Sequence, residues 1–567
     1  MEGTLDKTFG ITGPGWTNTT LGGESAGIIN QLIDNTGRII VTGLLYLPST
    51  TIMLLARYKS DGSLDNTFGG KNKGYTTNGF NIAEATKGRK LLFDSNGNIL
   101  VLVSIGASNN LGYILTRYSV DGLLDTNFGN GGWLLFNFST ELEANNMILD
   151  RSGNILVTGY TSTDTIIDHL IVTRHLSDGT IDNDFSANGS YIDDIFVSSS
   201  GTSIILDKSN RILVTGYGTT GPSEKTSMVL LCLNSLGFLD DSFGFDRKGW
   251  TTLQISNKDT LGLSIQINPR DGDIIVSGFI LISGSITSPK TGNLITIRYT
   301  RNGIINKNFG INRTGYTIFN NALIAAPNNM VIDNLGHILI IAARSDLDKQ
   351  DIRGILVRYT NSGILDTTFG TDNIGYVVYD FTGSYGNFFM SLSLVDNYSR
   401  ILLSGVALEL ISDIPQINLL LTKVINISTE PICLPAGTPI FTDQGIVSIE
   451  KIDTTKNTIA GKRIVAITNT ITPEKNLVCF EANSMGINCP SVRTIMTPGH
   501  EVLYNGKLVQ AKHFVGRVDG VHNIPYNGKD VLYNVLQDSH GLMRVNNMIV
   551  ETLHPENKVA KQILQKL

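Results

Sequence analysis

The chain repeats itself, and that repeat limits its fold more than any other feature. The marker (Leu/Ile)-Asp-x-x-Phe-Gly ends at Phe9-Gly10, Phe68-Gly69, Phe128-Gly129, Phe243-Gly244, Phe309-Gly310 and Phe369-Gly370, with Phe185-Ser186 as a variant copy. Successive phenylalanines lie 59, 60, 57, 58, 66 and 60 residues apart. Self-similarity at a fixed period means one supersecondary piece per unit, stacked on its neighbours to bury an apolar face that it cannot bury alone.

Each unit carries two further signatures. A basic-aromatic strand end and a turn precede the marker, as in Arg57-Tyr58-Lys59-Ser60-Asp61-Gly62, and a glycine followed by an aromatic comes after it, as in Gly15-Trp16 and Gly74-Tyr75. Between them stands a β-rich run, an Asp-x-x-Gly turn and a second β-rich run, typified by Ile33-Asp34-Asn35-Thr36-Gly37-Arg38-Ile39. That pattern is a hairpin. Four short strands per unit with no helical period predict propeller blades: the Gly-aromatic strand, the two hairpin strands and the strand ending in Arg-Tyr. The seventh unit lacks its marker after the strand at 417–424, while an orphan marker, Thr4 to Gly10, opens the chain. A ring closed by the N-terminus accounts for both and removes exposed strand edges. The marker Phe reads as a packing plug and its Gly as a positive-φ turn residue. The Asp-x-x-Gly turn lacks the clustered oxygens of a calcium loop and reads as a capped β-turn. The repeat resembles the delta-60 family over about residues 3–426, which implies a propeller-like array and no particular activity.

Composition changes at Cys433. Residues 433–567 hold 14 basic and 11 acidic side chains, against 30 and 39 in the rest of a chain whose net charge is −6. The acidic larger part argues against phosphate-backbone binding, so no nucleic acid is expected. Charged residues make up only 17% of the chain, which argues against disorder. The four cysteines, Cys232, Cys433, Cys479 and Cys489, form no disulfide framework and show no Cys-x-x-Cys spacing. No metal and no cofactor are expected, and Cys479 and Cys489, ten residues apart around a turn, read as two buried thiols, with a regulatory redox pair as the alternative. The start has neither a basic nor an apolar signal region, and no apolar run reaches membrane-spanning length, so no signal peptide and no membrane span are expected. His169, His175 and His337 are scattered, with no nucleophile or metal partner in view.

The run Ile432-Cys433-Leu434-Pro435-Ala436-Gly437-Thr438-Pro439 opens a segment of short strands, with signals at Thr438–Phe441, Ile446–Ile449, Arg463–Ile467, Leu477–Phe480 and Val531–Val535. Thr497-Pro498-Gly499-His500 follows, and then Leu532-Tyr533-Asn534-Val535 through His540 and Met543 to Val550. These three ordered blocks resemble the hedgehog/intein (Hint) self-processing domain. The expected architecture is therefore all-β: a seven-bladed β-propeller over residues 1–430, closed by the N-terminus, and a C-terminal all-β Hint domain over residues 433–567.

The resemblance implies an N-to-S acyl shift. The Cys433 thiol attacks the Ile432 carbonyl, His500 moves the proton to the leaving amide nitrogen, Thr497 orients the scissile peptide and His540 supports the site, a satisfied surface histidine being the alternative for His540. An ordinary thiol needs such help, because its pKa is about 8.5. The alternative for Cys433 is a buried structural cysteine. Inteins end in His-Asn; here the matching stretch is Val550-Glu551-Thr552 and Pro555 follows His554, so splicing is not expected. Sterol transfer in the hedgehog manner uses an acid in the central region, where this chain reads Ile467-Thr468-Asn469-Thr470, so a sterol is not expected and hydrolysis is the expected outcome. Two function classes remain open: a single-turnover autoprocessing enzyme, and a structural or binding protein whose Hint domain is an inert assembly module. Propeller faces suit protein partners or self-assembly in a virion or surface layer. The Asn- and Ile-rich composition resembles Hint proteins of large DNA viruses of amoebae, which implies a virion made in host cytoplasm; a bacterial cell surface is the rival location.

Overall fold

The computed structural model describes the chain except for residues 1, 71–72, 83–84, 107–111, 138–140, 165–166, 222–223, 285–288, 325–328, 334–335, 347–350, 371–373, 382–383, 385, 396–399, 412–413, 427–431, 471–475, 528, 539–540 and 554–567. It divides into two compact units, Met1–Ile427 and Ser428–Leu567. Strands dominate both, and no described helix is long and apolar enough to cross a membrane.

Among the described residues the first unit forms seven four-stranded antiparallel blades. In the first blade Ala26–Ile33 pairs with Ile39–Tyr46, which pairs with Thr51–Tyr58, which pairs with Tyr75–Asn78. The blade frame is thus offset by one strand from the sequence repeat. The Gly-aromatic strand closes the blade before it, because its partner is the Arg-Tyr strand just upstream of the marker: Ala56 stands opposite Tyr75. The first hairpin strands of successive blades neighbour one another around the ring, and Ala26–Ile33 of the first blade meets Gly386–Val395 of the seventh. The fifth and sixth blades also join where Leu323 and Ile324 stand opposite Arg344 and Ala343.

The N-terminus completes the seventh blade. Trp16–Thr19 pairs with Ile414–Ile425, Trp16 standing opposite Thr422. Leu5 bridges Val424 as Leu64 bridges Tyr58 in the first blade. Asp6 N donates to Lys423 O at 2.8 Å, the equivalent of the 2.9 Å bond from Asp65 N to Arg57 O.

The marker works as a joint between blades. Phe68, Phe128, Phe185 and Phe243 are fully buried. Each lies against the turn glycine of the next blade, Gly122, Gly179, Gly237 and Gly303, whose φ values run from 77° to 92°, and Phe9 meets Gly62 in the same way across the closure. A Cβ at Gly122 would stand 2.5 Å from the Phe68 ring. In the Asp-x-x-Gly turn, Asp34 Oδ1 accepts from the Thr36 and Arg38 amides and Oδ2 from the Arg38 guanidinium, so the carboxylate is spent on its own turn.

Among the described residues the second unit holds three small sheets around a core that includes Leu434, Ile440, Val478, Phe480, Met496, Val535 and Val550. One runs Leu434–Pro435, Leu532–Gln537, Lys462–Thr470, Thr458–Ile459, and another runs Thr494–Met496, Asn476–Phe480, Val521–Pro525. The six-stranded third contains Pro439–Thr442, Leu542–Val545, Met548–Glu551 and Glu501–Tyr504.

Candidate active site

Leu434–Pro435 is a two-residue edge strand that pairs with Leu532–Gln537, Leu434 opposite Tyr533. This pairing sets the Ile432–Cys433 peptide beside Asn534 of that strand. Thr497 and His500 come from the tight turn between Thr494–Met496 and Glu501–Tyr504, which the bond from His500 N to Thr497 O closes at 3.1 Å. Both side chains are fully buried.

The peptide is held at both of its polar atoms. Cys433 N donates to Thr497 Oγ1 at 2.8 Å. Asn534 Nδ2 donates to Ile432 O. Asn534 is itself fixed by Val535 N, which donates to its Oδ1 at 2.8 Å, and Thr468 stands opposite it in the strand register. Beyond the peptide, Thr497 N donates to Cys433 O at 3.0 Å.

His500 has one defined tautomer. Its Nε2 lies 3.1 Å from the Glu551 carbonyl, which only accepts, so Nε2 carries the hydrogen. Nδ1 then holds a lone pair, buried and without a hydrogen-bond partner among the described residues. Burial lowers the pKa of His500, and the Glu551 carboxylate and the Glu551 and Cys433 carbonyls oppose that shift without reversing it. The ring is therefore neutral at pH 7, a base in waiting.

Cys433 is 4% exposed and packs with Leu477 and Leu532. Burial pushes its thiol up to about 12. An unassisted thiolate is thus scarce, and attack needs a base that takes the proton as the sulfur moves.

Of the residues singled out from the sequence, Ile432, Cys433, Thr497 and His500 come together here. His540 lies outside the described residues. Asn534 was missed as a site residue; its only signal was membership of the third motif block. Elsewhere, Cys479 meets Glu481 and His522 rather than Cys489, whose Sγ lies 3.6 Å from Asn547 O. Two propeller histidines make local polar contacts: His175 is buried beside the Tyr113 hydroxyl at 2.7 Å, and His337 Nδ1 lies 2.9 Å from Asp333.

Comparison with known proteins finds two family models on this chain. A family model described as a Hint domain matches residues 432–557. A β-propeller model described as a domain of unknown function, DUF5122, matches residues 35–68. A search of curated proteins finds no match. Among solved structures, a polysaccharide lyase is 8% identical with a TM-score of 0.42, covering 72% of this chain and 91% of its own. A protein of unknown function from Dyadobacter fermentans is 12% identical with a TM-score of 0.34, covering 71% and 95%. The β-propeller domain of the Trilobed protease from Pyrococcus furiosus is 6% identical with a TM-score of 0.35, covering 70% and 93%. The chain carries a β-propeller followed by a C-terminal Hint domain.

Proposed function

We propose that the Hint domain cuts its own chain between Ile432 and Cys433. The observation that carries this reading is the grip on one peptide bond: Thr497 on its nitrogen side, Asn534 on its oxygen, and the bare Nδ1 of His500 in the same buried site. In the proposed sequence His500 takes the Cys433 thiol proton. Sulfur bonds to the Ile432 carbonyl carbon, and the developing oxyanion is stabilised by the Asn534 amide. The carbon–nitrogen bond breaks as the imidazolium returns the proton to the Cys433 nitrogen. Water then hydrolyses the thioester, leaving a carboxylate on Ile432 and a free amino group on Cys433. Residues 1–432 are released as a propeller that displays or docks protein partners. A virion or surface layer is the setting that the Asn- and Ile-rich composition supports.

The second reading, an inert assembly module, draws on the deep burial of Cys433. Incubating the purified chain with hydroxylamine separates the two. Self-processing gives fragments of 432 and 135 residues on a denaturing gel, faster than in buffer alone and absent in Cys433→Ala. A wild-type chain that stays whole supports the inert module.

A further inference from the structure

The sheet face that shelters Cys433 continues into a second cluster. Side chains alternate along a strand, so Leu477 and Cys479 share one face of Asn476–Phe480 while Val478 and Phe480 enter the core. Glu481 follows at the next position of that face. On the neighbouring strand His522 stands opposite Cys479 and Ile524 opposite Leu477. Cys479 Sγ, a Glu481 carboxylate oxygen and a His522 ring nitrogen all lie within 4.8 Å of one another. Arg493 spans two of the three: its Nε is 3.0 Å from Cys479 Sγ and 3.4 Å from Glu481 Oε1.

The geometry points to a binding site for a zinc-class divalent cation at Cys479, Glu481 and His522, independent of the self-cleavage reading. One sulfur, one imidazole nitrogen and one carboxylate oxygen make a borderline-soft donor set that suits zinc and not calcium or magnesium. Three protein ligands leave a fourth tetrahedral position for water. Donors on such an ion sit about 3.3–3.8 Å apart; Glu481 Oε1 already lies 3.4 Å from Cys479 Sγ and 3.7 Å from His522 Nε2, so binding has to adjust only the Cys479–His522 separation. The Glu481, His522 and Arg493 side chains are 43%, 49% and 54% exposed and free to make that movement. On coordination the Cys479 thiol proton passes to solvent, a sulfur–metal bond forms, and Arg493 swings away from the sulfur.

Titration of the full chain with cobalt(II) tests the site. A thiolate-to-cobalt charge-transfer band, saturating at one equivalent and displaced by zinc, is the expected result. His522→Gln weakens binding at least about tenfold, since loss of a ligand costs no less than loss of an outer-shell partner. Arg493→Gln tightens it, because the competing guanidinium is gone. Cys433→Ala leaves the band as in wild type, and Cys479→Ser removes it. If Cys479→Ser fails to fold, the solvent-facing His522→Gln decides. No band at saturating cobalt, a band that survives in folded Cys479→Ser, or unchanged affinity in His522→Gln overturns the site.

Discussion

Asn534 holds the carbonyl that the proposed reaction attacks, and one buried amide donor at an oxyanion is worth a factor of about 100–1,000 in rate. Asn534→Ala is expected to slow thiol-induced cleavage by that factor while the domain stays folded, measured as fragment yield against time. His500→Ala removes the only base named for the Cys433 proton and is expected to slow cleavage at least as strongly. The His500 effect was legible beforehand and the Asn534 effect was not: Cys433, Thr497 and His500 sit in motif blocks, whereas an asparagine inside a strand is marked by nothing except the peptide that folds against it. The marker aspartate is a similar case. Arg57, Arg117, Arg174 and Arg358 each pair through Nε with the Asp eight residues on and reach a carbonyl of the next blade. Where Cys232 replaces the arginine, Arg211 from the hairpin pairs with Asp240 and reaches Arg301 O. Where Asn306 replaces the aspartate, Arg298 pairs with Asp273 instead. Arg358→Leu strands Asp366 without its buried partner, and a loss of about 3–5 kcal/mol is expected on chemical denaturation.

At the level of strands, the period of about 60 residues made four strands per unit readable, and the orphan N-terminal marker made closure readable. The blade frame was not. A Gly-aromatic strand of four residues can hydrogen-bond to the strand before it or after it, and an even repeat looks the same either way. Only the register, Trp16 opposite Thr422 and Tyr75 opposite Ala56, settles the choice. Closure brings a physical consequence. Residues 2–12 supply Phe9 against Gly62, Asp6 to Arg400 and Glu2 to Arg358, besides the Leu5 bridge. Deleting them is expected to expose the edge of Ile414–Ile425 and the first-blade turn at Gly62. Faster amide exchange in that strand, with association on size-exclusion chromatography, is the expected readout; unchanged exchange and monodispersity contradict closure as the source of stability.

For the whole molecule, two buried groups bracket the stability of the Hint domain against pH. His500 has a folded-state pKa below its unfolded value, so the unfolded chain takes up a proton first and stability falls as pH drops below about 6.5. Cys433 is raised to about 12, so the unfolded chain loses a proton first and stability falls as pH rises above about 8.5. Each limb is worth at most about 1.4 kcal/mol per pH unit. Denaturant unfolding of Cys433→Ala between about pH 5 and about pH 10 is expected to keep the acid limb and weaken the alkaline one, to which the Cys479 and Cys489 thiols, both raised by burial, still contribute.

The central claim is that the peptide gripped by Thr497 and Asn534 becomes a thioester. Intact mass spectrometry of the wild-type chain held with an excess of a small thiol reads this directly. The account expects a 432-residue fragment carrying the thiol on the Ile432 carbonyl, a 135-residue fragment beginning at Cys433, and neither from Cys433→Ala. A wild-type chain that keeps its full mass while its Hint domain is folded contradicts it.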